Sequence, residues 1–433
     1  MEGATNMKKQ TYPHIGETLY FDQLENGLTV FLLPKREMAK TYGIFSTNYG
    51  SIDQTFTPIG QQDQITVPEG IAHFLEHKLF EKEDYDVFQD FSKHGASANA
   101  YTSFTKTAYL FAATNHIATN VKTLLDFVQD PYFSKQSVDK EKGIIAQEIQ
   151  MYNDQPEWRA FMGTIQAMFH HHPVKVDIAG TVESIQQITK DDLYTCYETF
   201  YHPENMILFI AGNFEPEKMI ELIRSNQEAK HFEPMTSIDR HYPEEPAEVT
   251  VKEHHITMPV STPKCTIGIK ESSSQLERDE FLKKDLLQSM ILTYYFSKGG
   301  PFYHILYDEN LIDDSFYFET TLDKNFGYSM IGSNTNHPDR LGEKVKQLLL
   351  STQTASISQE DVERMKKKKI GQLLREMNSL EVIANQSIHY HTFGIDFFEL
   401  IPAIQSLTKE DVQHFLSEWI TEDRLAVCKV VPE

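Results

Sequence analysis

Apolar and β-branched residues cluster near the start of the chain in two runs that are bounded by Asn, Gly and Pro. These runs are NGLTVFLLP at 26–34 and KTYGIFSTNYG at 40–50, and their composition predicts two strands. A third stretch, ASANAYTSFTKTAYLFAAT at 96–114, is rich in small residues, threonine and aromatics. Because such residues fit a pleated, half-buried surface, this stretch is also predicted to be strand.

Helical patterns separate and follow these strands. A helix is predicted from Pro68 to Phe80, since proline is well suited to the first turn of a helix. A second helix is predicted to begin near Tyr85 and to end at Gly95. Apolar residues recur at helical spacing in 116–130 and 137–154, which predicts two further helices.

An internal repeat appears when the middle of the chain is compared with its end. The segments ITKDDLYTCYETFYHPENMILFIAGN at 188–213 and LTKEDVQHFLSEWITEDRLAVCKVVP at 407–432 each predict a capped helix followed by an apolar strand. Upstream, 137–150 has a weaker helical counterpart in 358–377. The repeat predicts an α+β protein of two homologous domains, which we place at 1–230 and 250–433 with a polar linker at 231–249.

Length, charge and cysteine content narrow the class of protein. A chain of 433 residues is long for a single core, and its net charge of −23 makes nucleic acid an unfavourable partner. The three cysteines form no disulfide framework or CxxC site, which is typical of a reducing compartment. The N-terminal stretch lacks a signal-like apolar region, and no apolar run is long enough to span a bilayer. We therefore expect a soluble cytoplasmic protein without a membrane span.

The candidate chemistry lies in EGIAHFLEHKLFEK at 69–82. On a helix, His73, Glu76 and His77 share one face, where two imidazoles one turn apart can bind a zinc ion. The intervening carboxylate is then close enough to activate a water molecule, and the order H-x-x-E-H is the inverted form of the zincin motif. The alternative interpretation is an amphipathic helix whose histidines make only local hydrogen bonds.

Further features favour the metal site. In EKGIIAQEIQ, Glu141 and Glu148 are seven residues apart and share a helical face, so Glu148 is a candidate third ligand. Glu141 is a candidate for the outer group that orients a histidine. The predicted motif helix also carries apolar residues that would pack it into a core: Ala72, Phe74, Leu75 and Leu79.

The stretch that follows the motif helix suggests how a substrate would bind. Residues 99–102 are predicted to lie on a strand, and an exposed strand edge commonly binds an extended peptide. The sequence therefore combines a candidate metal site with a candidate peptide-binding strand.

Several segments resemble, in the same order, the blocks of one enzyme family. They are NYGSIDQ, EGIAHFLEHKLFEK, GASANAYTSFTKTAYLF, EKGIIAQEIQMYNDQP, AGTVESIQQIT and FYHPENMILFIAGN. They resemble the pitrilysin and insulin-degrading-enzyme family of zinc metallopeptidases, the inverzincins, along essentially the whole chain. The length is similar to that of the short two-domain subfamily that includes the mitochondrial processing peptidase.

The resemblance implies a role for each candidate residue. It implies a Zn²⁺ cofactor with His73, His77 and Glu148 as ligands, Glu76 as the general base and Glu141 as a supporting catalytic carboxylate. It places Asn99 and Ala100 on the strand that pairs with bound substrate in relatives. It also implies two α/β-sandwich halves, each an antiparallel-rich sheet covered by helices, and clam-shell dimers around an internal chamber.

One segment departs from the family pattern. Zinc-bearing relatives often carry an Arg and a Tyr that contact substrate, but the equivalent stretch here, LYDENLID at 306–313, has no Arg. Tyr307 takes the Arg position and Asp313 the Tyr position. This departure predicts a heterodimer with a homologous subunit that supplies the Arg and Tyr, although a homodimer is also compatible with the family.

Two functions follow from these observations. The first is a zinc metalloendopeptidase that cleaves peptides or unfolded segments in an enclosed chamber, and the second is a non-catalytic, peptide-holding subunit of the same family. Three other motifs are interpreted structurally: HHHP at 170–173 as a solvated helix end, KKKK at 366–369 as a solvated helix face, and TVES at 181–184 as a helix N-cap.

Overall fold

A computed structural model describes residues 7–235, 237–271 and 276–433. The chain divides into two compact units, the first being Met1–Ile149, Val176–His241 and Met377–His389. The second unit is Gln150–Lys175, Tyr242–Glu376 and Tyr390–Glu433. Neither unit is one continuous stretch of sequence. These units describe compactness and not the sequence repeat. The boundaries of the two homologous domains, at 230 and 250, therefore stay a prediction.

Both units contain strands and helices. The strands are β1 (Lys8–Tyr12), β2 (Glu17–Gln23), β3 (Thr29–Pro34), β4 (Thr41–Thr47), β5 (Thr55–Thr57), β6 (Ile65–Thr66), β7 (Ser97–Thr102), β8 (Thr107–Ala113), β9 (Met206–Gly212), β10 (Asp239–Arg240), β11 (Glu253–Thr257), β12 (Lys264–Lys270), β13 (Tyr317–Leu322), β14 (Gly327–Asn334) and β15 (Leu425–Val431). The α-helices are α1 (Ile71–Phe80), α2 (Phe88–Lys93), α3 (Ile117–Val128), α4 (Lys135–Asn153), α5 (Pro156–Met168), α6 (Val182–Gln187), α7 (Lys190–Phe200), α8 (Pro216–Glu228), α9 (Arg278–Phe296), α10 (Pro301–Asp308), α11 (Pro338–Ser351), α12 (Gln359–Glu376), α13 (Leu380–His391), α14 (Leu400–Ser406) and α15 (Lys409–Trp419).

Each unit is built on a mostly antiparallel sheet. The first contains a seven-stranded sheet in the order β1-β2-β3-β9-β4-β8-β7, in which only the β3–β9 pair is parallel among the described strands. The second contains the five-stranded order β11-β15-β12-β14-β13, in which only β11–β15 is parallel. The predicted fold class, antiparallel-rich sheets covered by helices, is confirmed.

The predicted helix–strand repeat is also present in the structure. Thr189 and Thr408 cap α7 and α15 with the same reciprocal hydrogen bonds to an aspartate three residues on. The strands that follow, β9 and β15, each join their sheet through one parallel neighbour. Local sequence therefore repeats at the level of capping and of strand pairing.

The boundaries of three predicted elements differ in the structure. The motif helix begins at Ile71 rather than Pro68, because Gly70 adopts a φ of 86° and a Cβ there would lie 2.3 Å from the Ala179 carbonyl oxygen. The helix predicted from 85 to 95 is confined to α2. The stretch 96–114 forms two strands, since Ser103 and Lys106 close a turn between β7 and β8.

The interpretation of HHHP as a solvated helix end is wrong. Helix α5 ends at Met168, and the backbone N–H groups of His170, His171 and His172 all donate to the Glu245 carboxylate at 2.7–2.8 Å. His172 is only 1% exposed, and burial lowers its pKa to about 4. The backbone of this segment therefore binds a carboxylate of the same unit, with His172 buried and His171 exposed.

The interpretation of TVES is confirmed, and that of KKKK is confirmed in part. Thr181 caps α6 with reciprocal hydrogen bonds to Ser184, which confirms the predicted N-cap. The four lysines at 366–369 lie on α12 as predicted, but the face is only partly solvated. Lys369 is half-buried and donates to the Ser289 hydroxyl at 2.7 Å.

Candidate metal centre

The motif helix α1 is held rigidly by its apolar face. The predicted core residues Ala72, Phe74, Leu75 and Leu79 are at most 1% exposed. Burying a Leu or Phe side chain contributes about 1.5–3 kcal/mol each, so rotation of this helix would be strongly opposed. At the N-terminal end, the Ser184 hydroxyl donates to the Glu69 carbonyl at 2.9 Å and attaches the helix to α6.

The opposite face of α1 presents two imidazoles to α4. His73 Nε2 lies 3.8 Å from Glu148 Oε1, and His77 Nε2 lies 3.6 Å from Glu148 Oε2. One donor atom from each of these three residues lies within 4.8 Å of the others. The structure therefore brings together the three predicted ligands, although the helices that carry them are separated by more than fifty residues of sequence.

The donor set fits zinc. A tetrahedral Zn²⁺ with ligand bonds of ~2.0–2.1 Å separates its donor atoms by roughly 3.3 Å, close to the spacing between the histidine nitrogens and Glu148. Two imidazoles and one carboxylate are also a common protein ligand set for a catalytic zinc with an open position. The three side chains are partly buried, so a metal there would remain accessible to water on one side.

Glu141 orients one of the imidazoles. Its Oε1 lies 3.1 Å from Nδ1 of His77, and since an ionised carboxylate can only accept, Nδ1 carries the proton. The lone pair of His77 is then on Nε2, the atom that faces Glu148, which is the tautomer that metal binding requires. Burial acts to raise the pKa of Glu141, but the hydrogen bond to His77 and nearby positive charges outweigh it and lower that pKa.

The two histidines differ in their affinity for protons. Burial and the neighbouring His77 lower the pKa of His73 to about 3, so His73 is neutral at pH 7. Burial also acts to lower the pKa of His77, but the hydrogen bond to Glu141 and the charges of Glu76 and Glu148 outweigh it and raise that pKa. Protons and a metal ion would therefore compete chiefly at His77.

Glu76 lies beside the ligands without being one of them. Its carboxylate is 8% exposed, and Oε2 accepts a hydrogen bond of 2.7 Å from the Thr102 hydroxyl on β7. Burial raises the pKa of Glu76, while the bonds from Thr102 and the nearby His77 act to lower it. Glu76 is thus a desolvated carboxylate that Thr102 holds in place beside the candidate ligands.

Thr102 is a functional candidate that the sequence interpretation missed. Side chains alternate along a strand, so Ala98, Ala100 and Thr102 face one side of β7, and the two alanines pack against the core that includes α1. This alternation, once β7 is placed next to α1, is the signal that identifies Thr102.

Strand β7 lies at the end of the seven-stranded sheet, so its outer edge has no neighbouring strand among the described residues. Asn99 is exposed and Ala100 partly exposed on this strand. An unpaired edge presents backbone N–H and C=O groups that an extended peptide can pair with. The predicted substrate strand is therefore open at its edge and linked directly to Glu76 through Thr102.

The β7–β8 hairpin is fixed by a residue from the far end of the sequence. Asn385 on α13, within the same compact unit, accepts hydrogen bonds from the Tyr101 hydroxyl and from Lys106 Nζ. Its amide also donates to the Tyr42 hydroxyl at 3.5 Å. Asn385 was not identified from the sequence, because nothing in its local pattern indicates which strand it contacts.

The stretch that departs from the family pattern forms the end of α10 and the turn after it. Tyr307 is 56% exposed on α10. Asp313 accepts from the backbone N–H of Ser315 at 2.8 Å, so it stabilises the turn. The structure thus gives Asp313 a local structural role in this turn.

Comparison with known proteins identifies the family. The family model described as insulinase (peptidase family M16) matches residues 64–182, and that described as the peptidase M16 inactive domain matches residues 187–369. The chain is 49% identical over 427 residues to the uncharacterized zinc protease YmfH of Bacillus subtilis (strain 168), covering 99% of this chain and 100% of that protein. The chain belongs to peptidase family M16.

Solved structures agree with this M16 assignment. A putative M16-like peptidase from Alicyclobacillus acidocaldarius is 38% identical, with a TM-score of 0.92 over 100% of both chains. A protease from Helicobacter pylori shares the fold at 17% identity, with a TM-score of 0.82 over 98% of this chain and 100% of that chain. The expected two-domain family fold and the resemblance to zinc metallopeptidases are therefore confirmed.

The candidate site residues all lie in one of the two M16 matches. The insulinase match includes Glu76, Glu141 and the three candidate ligands. The inactive-domain match includes α9 and α10. Among the described residues, neither helix contributes to a cluster that could hold a metal ion. No helix in the described part of this M16 protein is long and apolar enough to cross a bilayer.

Proposed function

We propose that this M16 protein is a zinc-dependent endopeptidase that cleaves peptides or unfolded segments. The observation that carries the proposal is the buried Glu76, fixed by Thr102 beside a His₂Glu cluster at an open strand edge. A general base, a metal-binding site and a peptide-binding edge are the components that peptide hydrolysis requires. A zinc ion held by His73, His77 and Glu148 would supply a Lewis acid that acidifies water and polarises the scissile carbonyl.

The residues of this chain supply the proton transfers and the positioning. Glu76 takes a proton from the attacking water and later returns it to the leaving amine, which is the usual cycle of one carboxyl group. Glu141 holds the His77 ring in the required tautomer. The edge of β7 at Asn99 and Ala100 aligns the substrate backbone as an additional strand.

The substrate class follows from the mode of binding. Only an extended chain can pair with a strand edge, so stably folded proteins should be spared. We also propose that the reaction takes place in an enclosed chamber and in the cytoplasm of a bacterium. The described cysteines are free and buried, which fits a reducing compartment.

Comparing the folded and unfolded forms of one protein gives a direct test of this substrate class. A small disulfide-bonded protein should resist cleavage in its native form and be cleaved after reduction and alkylation, although the sequence is the same. A chelator should abolish the cleavage, and added zinc should restore it. Efficient internal cleavage of the native form would contradict the proposed strand-pairing mode.

The second candidate function is a non-catalytic, peptide-holding subunit. It is favoured by the absence of Arg from 306–313 and by the match of 187–369 to an inactive domain. Against it, a holding subunit has no need for the complete set of His73, Glu76, His77 and Glu148. Peptide binding without hydrolysis, in zinc-loaded protein and with a homologous partner present, would favour this second function.

We further propose that the active form is a heterodimer. Substrate carbonyls near a catalytic metal need fixed donors, and Tyr307 and Asp313 stand where relatives carry the Arg and Tyr that contact substrate. A homologous subunit that carries Arg and Tyr but no zinc motif would complete the site. A homodimer would leave it without these donors.

Mixing this protein with a homologue that carries the Arg and Tyr but no zinc motif tests the heterodimer. This chain alone should be weakly active, and a 1:1 mixture should raise the rate of cleavage of a peptide library by about 10-fold or more, since misplaced substrate can cost even larger factors. Changing the partner's Arg to Ala and its Tyr to Phe should remove the gain. Full activity of this chain alone, unchanged by the partner, would contradict the heterodimer.

Thr102→Val is expected to weaken the base while retaining the metal. The hydrogen bond from Thr102 lowers the pKa of Glu76, so its removal should raise that pKa and move the acidic limb of the pH–rate profile to higher pH. A hydrogen bond to a charged group contributes about 1.5–3 kcal/mol, which corresponds to a loss of roughly 10-fold or more in kcat. Thr102→Ser should restore both the rate and the profile, and zinc content should be the same in all three proteins.

A further inference from the structure

The second unit contains a pair of helices equivalent to α1 and α4. Gly95, after α2, and Asn310, after α10, both adopt positive φ, and the next residue of each closes a hydrogen bond to the carbonyl five residues earlier. The start of α4 is capped by reciprocal bonds of Ser134 and Ser137, and the start of α12 by those of Ser358 and Asp361. The repeat therefore aligns α9–α10 with α1–α2 and α12 with α4.

Burial fixes the alignment of α9 with α1. Phe80 and Phe296 each end their helix as a buried ring that contacts an aromatic ring of the next helix. With these two residues aligned, the partly exposed positions His73 and His77 correspond to the partly exposed Ser289 and Thr293. The residues at the positions of the candidate metal centre are Ser289 for His73, Leu292 for Glu76, Thr293 for His77, Met365 for Glu141 and Gln372 for Glu148.

The charge of this region is inverted between the two units. In the first unit, carboxylates surround the histidines, which attracts a cation. In the second, a cavity of about 480 Å³ adjoins the equivalent positions, and its cationic side chains are Arg364, Lys368 and Lys369. Lys369 stands at the α12 position that corresponds to the fully buried Ile145 of α4.

Among the residues that the structure describes, two of the three cations have no carboxylate partner. Arg364 forms an ion pair with Asp361 and lies 5.7 Å from the ring centre of Tyr294. Lys368 and Lys369 instead donate to the hydroxyls of Ser297 and Ser289, and within the described ranges neither forms an ion pair. Lys368 is exposed overall, and the partial desolvation of its ammonium group lowers its pKa.

Two ammonium groups that have no carboxylate partner among the described residues therefore line one cavity, in a chain with a net charge of −23. Here the hydroxyls of Thr293 and Ser297 line the same cavity and offer hydrogen-bond donors beside the two cations. This combination is typical of a site that binds an oxyanion.

We infer that this cavity binds a small ligand through its phosphate groups. Lys368 and Lys369 would contact phosphate oxygens, with the hydroxyls of Ser297 and Thr293 completing the contacts. Met290, Pro301 and the ring of Tyr294 form an apolar wall that can pack against the rest of the ligand. The volume lies within the range that holds small molecules in proteins, ~300–1,000 Å³.

Binding of inorganic pyrophosphate to the full-length protein tests this inference. Calorimetry at constant ionic strength should show saturable binding, and Lys368→Gln and Lys369→Gln should each weaken it by about 10-fold or more, because charge-assisted hydrogen bonds are lost. Lys367→Gln is the matched control, since Lys367 is exposed on the same helix and outside the cavity. It should bind as the parent protein does.

Two additional measurements separate other sources of binding. His73→Ala should bind pyrophosphate as the parent does, which distinguishes the cavity from the metal centre. Citrate at the same ionic strength should bind at least 10-fold more weakly. The inference is overturned if pyrophosphate shows no saturable binding, if Lys367→Gln loses as much affinity as Lys368→Gln, if His73→Ala abolishes binding, or if citrate binds equally well. Because Lys368 is exposed, Lys368→Gln should fold normally. Its pyrophosphate affinity therefore tests the inference even if Lys369→Gln folds poorly.

Discussion

Glu76→Gln is expected to lower peptide hydrolysis by roughly 10²-fold or more, in line with the contribution of a general base. Glutamine has nearly the same size as glutamate and can still accept the hydrogen bond from Thr102, but it cannot take up the proton of the attacking water. Zinc content and peptide affinity should be unchanged, because Glu76 is not among the three candidate ligands. Single-turnover cleavage of a fluorogenic peptide, combined with metal analysis, measures both properties.

The matched control for this variant is Glu83→Gln. Glu83 is an exposed carboxylate shortly after the same helix, so the change removes one negative charge without touching the site. It should leave the rate within about twofold of the parent, as surface substitutions usually do. A wild-type rate in Glu76→Gln would show that another group is the base.

His73→Ala and His77→Ala are each expected to remove most of the bound metal. A catalytic zinc is held by three protein ligands, and loss of one imidazole leaves a pair that cannot retain the ion against dialysis. Purified parent protein should contain about one zinc per chain. Elemental analysis after dialysis, in parallel with the cleavage assay, measures this directly.

His414→Ala serves as the control for the metal analysis. His414 is 71% exposed on α15 and pairs only loosely with Glu418, so its loss should not change the zinc content. Folding of all variants can be compared by thermal unfolding, since loss of a bound ligand also lowers apparent stability. Parent protein that carries no zinc and takes none up on titration would rule out the metal centre.

The local part of the site was predictable because helix geometry is local. The spacing of His73, Glu76 and His77 places them on one face of any helix they form, and the same holds for Glu141 and Glu148. Capping residues such as Thr181 act on hydrogen bonds within a few residues, and that prediction is confirmed. Where the structure differed, the left-handed φ of Gly70 marks the start of the helix, and the distant Ala179 carbonyl leaves no space for a Cβ there.

The nearest neighbours of the site were not predictable in the same way. Thr102 reaches Glu76 only because β7 lies beside α1, and Asn385 holds the hairpin from the far end of the sequence. His172 is buried against the rings of Tyr242 and Phe326, although its motif looked solvated in the sequence. The cavity beside α12 is a similar case, since its lysines resembled an ordinary exposed face in the sequence.

By itself, the sequence determined the helices and strands around the metal motif, the internal repeat, and the family to which the residues of the metal motif belong. These depend on residue spacing and short-range hydrogen bonds, which a linear pattern records. The tertiary structure alone decided that α1 and α4 meet with their donor atoms within 4.8 Å, that Thr102 binds Glu76, and that the equivalent helices of the second unit line a cationic cavity. These depend on packing between segments distant in sequence, where burial and charge are set by neighbours that the linear pattern does not name.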